Sequence, residues 1–456
     1  MAPQTDRSRE LRAARGERAR VTRNMGYALL AGLAALVVLV STAIFIGAGN
    51  RDQGRGEDSP RARNSAAPAS SGNWVGTWSA APAAAEPRSR DGFAHMSIRN
   101  VVHTSVGGTG ARVRLSNLFG NRPLTITHAS VALAAAPSNP TAAAGSMRRL
   151  RFGNKTSVTI PAGGEVTSDA VRLNVPHAAD LLVTTYSPTP SGPVTYHPYA
   201  RQTSYVATGD RAEDTSGTAF NQQSPYWRYL TGVDVWSSET QGAVAVLGDS
   251  ITDGITSSPG ANRRWTDFLA ERLRTERDAP PLSVLNAGIS GNRVLVDGSK
   301  YSPNNGPSGL TRMSRDVLSR TGLKVVVVEM GLNDIIKPPR QRDPQRIVNG
   351  LRDLVRQAHT RGLRVVGATL TPFGGHRGYT PRMEAVRQGV NAEIRKGKVF
   401  DAVVDFDAAL RDPAHPERLR AAYDSGDHLH PSDNGYQAMA QAMDLQSLKG
   451  SRPATL

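Results

Sequence analysis

The 456-residue chain contains no cysteine. Disulfides, cysteine-ligated zinc and a thiol nucleophile are thereby excluded, while the redox compartment stays open. Lysine is scarce too: arginine outnumbers it 48 to 7, so guanidinium groups carry nearly all of the formal +16 charge. Residues 1–24 hold +4 of that charge and residues 50–72 hold +1, which leaves +11 spread over the remainder. No long basic block and no basic–aromatic alternation follows residue 63. Nucleic acid is therefore not an expected partner, and the diffuse charge reads as solvated surface.

Charge is missing altogether from Met25 to Gly49, whose core from Leu29 to Ile46 is strongly apolar. A helix needs about 20 apolar residues to cross a bilayer, so this segment is expected to be a transmembrane helix. The arginine-rich tail 1–24 would stay in the cytoplasm, placing everything after residue 50 outside, on a single-pass membrane protein. A twin-arginine pair is lacking, which favours general secretion. The apolar stretch exceeds the usual signal-peptide core of about 7–15 residues, and no convincing A-x-A site follows it. An uncleaved signal anchor is thus favoured over a cleaved signal peptide and a secreted product. Residues 50–72, rich in Gly, Ser, Pro and Ala, read as a disordered linker.

From residue 73 to 239 the pattern is one of short strands and turn signals. Ala111–Leu115 and Ser130–Leu133 alternate apolar with polar or small residues, and 157–160, 181–184 and 194–196 are further candidates. Gly107-Gly108, Pro161–Gly164 and Ser191–Pro193 punctuate them. Such a succession predicts a β-sandwich or jelly-roll module. Trp74, Trp78, Trp227 and Trp236 fall within it and read as core or domain-interface residues.

From 240 to 450 strands alternate with helices. Strands are predicted at 243–247, 282–286, 324–329, 364–370 and 402–406, with helices at 264–274, after Pro344, and from Ser432 to about 446. Right-handed βαβ crossovers and a parallel sheet covered on both faces follow from that alternation. Four short motifs sit at carboxyl ends of strands or in the last loop. They are Gly248–Gly254 (GDSITDG), Asn286–Asn292 (NAGISGN), Gly331–Asp334 (GLND) and Asp427–Pro431 (DHLHP). All four would converge on one edge of the sheet, where open α/β folds bind ligands. A serine is a poor nucleophile without a base and an oxyanion hole, so Ser250 needs both from elsewhere in the chain.

On these four blocks the region 242–448 resembles the SGNH (GDSL-type) hydrolases. The whole arrangement, with a β-rich module in front, is similar to bacterial arylesterases and acylhydrolases of that family. The resemblance implies a flavodoxin-like α/β/α catalytic domain and a serine esterase or acylhydrolase. It assigns Ser250 as nucleophile, His430 as base and Asp427 as the carboxylate that orients it. It also assigns an oxyanion hole to the N–H groups of Ser250 and Gly288 and the side-chain amide of Asn333. No metal or organic cofactor is implied. Asp334 reads as a structural brace, and His428 as the rival for the base. His376, in the glycine-rich stretch 371–379, is a candidate for substrate contact in a pocket wall or lid. The expected substrate is a small-molecule, glycan or lipid ester, with acetylated glycans preferred because no long apolar lid is present. A lipase or lysophospholipase is the alternative within the family. A surface- or carbohydrate-binding protein with a passenger hydrolase fold, and a metal-dependent phosphoesterase, are alternatives of other classes.

Overall fold

Residue-by-residue alternation in the strand Gly242–Gly248 sends Val244 and Val246 into one apolar layer and Ala243, Ala245 and Leu247 into another. That strand is buried throughout, as a central parallel strand must be. The computed structural model describes residues 72–450 apart from 300 and 301. Five parallel strands form the sheet, in the spatial order Leu282–Gly288, Gly242–Gly248, Leu323–Glu329, Arg364–Ala368, Ala402–Val404. Numbered along the chain this is 2-1-3-4-5, the flavodoxin-like order, and its reversal falls between the first and third strands.

Helices Trp265–Thr275 and Asp433–Ala442 cover one face, where Trp265, Leu269, Tyr436 and Met439 pack on Val244 and Val246. On the other face Ile347, Leu351 and Leu354 of Pro344–His359 join Val390 and Ile394 of Pro381–Arg395 over Val326 and Val328. Both of these helices begin with proline at the first helical position. Asp343 and Thr380 cap them by accepting the N–H groups of Gln345 and Met383. The closing helix is capped by Ser432, as expected, but stops at Ala442. Met443 is extended there, and a new turn capped by Asp444 spans Leu445–Leu448.

Upstream lie two large antiparallel sheets and two small ones, a three-stranded sheet in the order Trp227–Arg228, Thr195–His197, Ala84–Ala85 and a pair Leu124–Ile126, Val158–Ile160. One large sheet runs Asn73–Ser79, Leu230–Ser237, Gly108–Ser116, Val171–Val175. The other runs Gln222–Ser224, Ser204–Thr208, Met96–His103, Asp180–Ser187, His128–Leu133, Arg148–Arg149. Val75, Val113, Leu115 and Val235 of the first share a core with Ile98, Val102, Val131 and Val183 of the second, which makes a sandwich. Arg112 and Arg114 point outward between those apolar residues and meet Asp234 and Glu165.

The sandwich and the parallel sheet are joined by more than the chain. Strand Leu282–Gly288 is an edge of the sheet, and exposed edges invite pairing with other chains. Here the Asn73–Ser79 strand covers it. Ser283 Oγ donates to Gly76 O (2.6 Å), Ser79 Oγ to Asn286 O (2.9 Å), and Val284 N to Ser105 Oγ (3.2 Å). Val75, Leu285 and Ala287 belong to one continuous apolar cluster.

The expected transmembrane helix requires correction. Among the described residues no helix is long and apolar enough to cross a membrane. Residues 25–49, with the tail 1–24 and linker residues 50–71, lie outside the described residues. The membrane span and the anchoring expected from it thus form no part of the observed fold.

Candidate active site

Ser250 opens a one-turn helix, Ser250–Asp253, directly after the first parallel strand. Asp249 caps that turn, accepting the Ile251 N–H at 3.0 Å, and Gly254 ends it in the left-handed region (φ 90°). The turn lies so close to the strand that a Cβ on Gly248 would come within 2.2 Å of Thr252 Oγ1. This tight strand-to-helix corner lifts the Ser250 hydroxyl to the carboxyl edge of the sheet.

The opposing loop is folded by its own carboxylate. Asp427 Oδ1 accepts the N–H groups of Leu429 (2.9 Å) and His430 (2.8 Å), which turns the chain back so that Oδ2 meets His430 Nδ1 at 2.6 Å. His430 Nε2 is 2.9 Å from Ser250 Oγ. A carboxylate can only accept, so Nδ1–H donates to Asp427 and Nε2 is left to accept from the serine hydroxyl. Partial burial on its own would push the Asp427 carboxyl above its ordinary pKa. The hydrogen bonds from the His430 ring and from the His430 and Leu429 N–H groups outweigh that and hold it well below the usual carboxylate range. Asp427 therefore stays ionised, as the orienting member of such a chain must.

Asn333 lies in the short helix Leu332–Ile336 behind the third strand, buried and facing the same cavity as Ser250. One amide hydrogen goes to Asp249 Oδ2 at 2.9 Å, and the second remains for a ligand. Gly288 is placed differently. Its N–H donates to Asn286 Oδ1 at 2.8 Å, and a Cβ there would come within 2.4 Å of Asp253 N. Gly288 thus abuts the turn that carries Ser250 and lies outside the cavity lining, so the oxyanion role assigned to it by resemblance is corrected. Gly291 of the same motif lines the cavity with Ser250, at φ +77°. The N–H groups of Gly291 and Ser250 donate to no acceptor among the described residues. The serial glycines of NAGISGN carried that signal, but spacing could not decide between them.

Two buried acids lie beneath the nucleophile. Burial pushes Asp249 up to about 6 against the Ile251 and Asn333 donors. Burial and the neighbouring Asp249 charge push Glu329 well above the usual range, and Thr252 Oγ1 donates to it at 2.8 Å. Asp334 is also buried and raised to about 6 by desolvation. It accepts Val294 N (2.8 Å) and Leu295 N (3.0 Å), a brace for the loop after the second strand.

A further element of the site comes from the small upstream sheet that holds Thr195–His197. His197 Nε2 lies 2.9 Å from Asp253 Oδ1, and Asp253 Oδ2 accepts both the N–H (2.9 Å) and the hydroxyl (2.6 Å) of Ser290, next to Gly291. His197 Nδ1 faces Ala81 O at 2.8 Å. Nothing in the local sequence marks His197, since its partners lie 56 or more residues away.

His428 pairs with Asp424 (2.6 Å) and does not reach Ser250. His376 Nδ1 is 3.1 Å from Asp427 O, and it lines the cavity with Phe373, Arg377 and Tyr379 of the same loop. The cavity measures about 400 Å³ and also takes in Tyr199 from the sandwich, Asn304, Asn305 and Lys337.

Comparison with known proteins follows from this geometry. The model of the GDSL-like lipase/acylhydrolase family matches residues 246–438. No curated protein matches the sequence. Among solved structures, the chain is similar to a carbohydrate acetylesterase from Sinorhizobium meliloti at 19% identity and TM-score 0.35, covering 44% of this chain and 95% of that one. It is also similar to an aryl esterase from M. smegmatis at 18% identity and TM-score 0.35, over 44% and 95%. A lipolytic protein of the G-D-S-L family from Veillonella parvula is similar at 17% identity and TM-score 0.31, over 44% and 94%.

Proposed function

We propose that this chain, whose residues 246–438 match the model of the GDSL-like lipase/acylhydrolase family, is a carboxylic ester hydrolase that works as a serine esterase through an acyl-enzyme on Ser250. The observation that carries this reading is the unbroken chain Asp427–His430–Ser250, at 2.6 and 2.9 Å.

Ser250 Oγ attacks the ester carbonyl while His430 Nε2 takes its proton, and the new C–O bond leaves the carbonyl oxygen negatively charged. The free N–H groups of Ser250 and Gly291 and the spare amide hydrogen of Asn333 are the donors on hand for that oxyanion. Collapse expels the alcohol, which receives its proton from His430. Water, activated by the same imidazole, then releases the acid and regenerates Ser250. Asp427 keeps the ring in the tautomer with Nδ1 protonated and stabilises the imidazolium.

A cavity of about 400 Å³ with amide, basic and phenolic groups on its wall suits a short acyl group on a polar alcohol, acetylated sugars among them. A fluorophosphonate probe tests the mechanism. Intact protein should gain one phosphonyl group, located by peptide mass spectrometry on Ser250. Labelling elsewhere, or none, would contradict it.

A further inference from the structure

Every charged side chain on the cavity wall at Ser250 is basic. Lys337, Arg340 and Arg377 line it together with His376, and among the described residues no aspartate or glutamate does. Basic residues abound on this chain, so their number alone decides nothing. Their partners do. Arg112, Arg228 and Arg387 elsewhere are each matched to a carboxylate. Among the described residues Lys337 Nζ instead reaches only Asn305 Oδ1, at 3.3 Å, and Arg340 Nε only the carbonyl of Ile336, at 3.2 Å. Arg377 has no side-chain partner among the described residues.

Lys337 adds position to charge. It follows the helix that carries Asn333, and a Cβ on Gly291 would come within 2.4 Å of its Nζ. The ammonium therefore lies against the glycine whose N–H is free beside Ser250. Its surroundings are partly desolvated, and burial lowers its affinity for a proton against the pull of Asp249. An ammonium that has lost hydration, with the Asp249 charge nearby but no carboxylate in contact among the described residues, is stabilised by an anion brought in by a ligand.

We propose that the preferred esters of this enzyme carry an anionic group, a carboxylate or a phosphate, which Lys337 binds close to the reacting carbonyl, with Arg340 and Arg377 drawing it in at the mouth. This rests on the serine esterase reading above and names its substrate class. The anion can sit on the acyl half, as in a dicarboxylic half-ester, or on the alcohol half, as in an acetylated uronic acid or a glycerol phosphate ester.

Matched substrates test it on the full chain. For the acyl half the pair is p-nitrophenyl hemisuccinate against p-nitrophenyl butyrate. For the alcohol half, acetylated glucuronate is compared with acetylated glucose, and acetylated glycerol phosphate with acetylglycerol. In at least one pair kcat/KM should favour the anionic member by about tenfold or more, the worth of one charge-assisted hydrogen bond. Lys337→Met should cut that ratio by about tenfold. Arg377→Gln, on an exposed loop, should lower it by a smaller factor, and high salt should lower it as well. The pair that responds identifies the half that bears the charge. Ratios near one in every pair, or a ratio unmoved by Lys337→Met in folded protein, would overturn the proposal. If the neutral esters still turn over in a Ser250-dependent way, that failure belongs to the anion site alone. If no ester of either kind is cleaved, the esterase reading fails and the anion site with it.

Discussion

Replacing His197 with alanine should damage both stability and turnover, although the residue belongs to a small sheet upstream of the parallel one. Its ring and the Asp253 carboxylate are 4% and 3% exposed and 2.9 Å apart. Ala81 O can only accept, so Nδ1 carries a hydrogen; Asp253 already accepts twice from Ser290, so the Nε2 contact places another proton between ring and carboxylate. Removing the ring leaves a buried Asp253 oxygen without its hydrogen-bond partner, at a cost of about 1–3 kcal/mol. In catalysis the loss passes through Asp253 to Ser290 and so to Gly291. A displacement of an oxyanion donor by about 1 Å is enough for a loss of about 10²-fold in rate. Urea unfolding gives the first number and steady-state kinetics the second, with kcat falling and KM nearly unchanged, since the damage is to transition-state binding. His197→Gln keeps a donor toward Asp253 and should recover part of both. If His197→Ala lies within about 1 kcal/mol of wild type, the buried-pair reasoning is wrong. If turnover is intact, the small sheet that carries His197 does not position the site.

Three other outcomes follow from the same geometry. Asn333→Ala removes one oxyanion donor and the support of Asp249, and should lower kcat by about 10²–10³-fold with a small change in KM. A fragment covering 240–450 should be insoluble or unfolded on expression, because it uncovers the Leu282–Gly288 edge and splits one apolar cluster; a soluble, active fragment would contradict that. Asp334, raised to about 6, keeps a proton in the folded protein that the unfolded chain gives up above its ordinary value of 3.8. Its contribution to stability is therefore greatest below pH about 4 and declines as pH rises to about 6, by up to about 3 kcal/mol. Unfolding midpoints across that range should flatten in Asp334→Asn, and an identical slope in both proteins would refute the assignment.

The legible parts of the chain are those whose cause is local. Short runs rich in Val, Leu and Ala place the parallel strands, because a central strand must be apolar on both faces. Ser250, Asp427 and His430 were singled out by the resemblance of short motifs, and the structure brings the three side chains into one hydrogen-bonded chain. What stayed hidden depends on partners far away. The Met96–His103 strand contains Arg99 and Asn100, which break its pattern, yet Arg99 is fully buried, bonded to Thr184 Oγ1 and the carbonyls of Pro140 and Asp214, and stacked on Phe220. His197 holds the Ser290–Gly291 turn from another sheet for the same reason. The choice of Gly291 over Gly288 depends on which N–H Asn286 has already taken, a fact of three dimensions.

The central claim is that Ser250 is the nucleophile of an ester hydrolase. Hydrolysis of p-nitrophenyl acetate by wild type and Ser250→Ala, at equal concentration and with matching thermal unfolding curves, tests it most directly. The account predicts turnover by the wild type and a loss of at least about 10³-fold in the variant. Activity in the folded variant close to that of the wild type would contradict it.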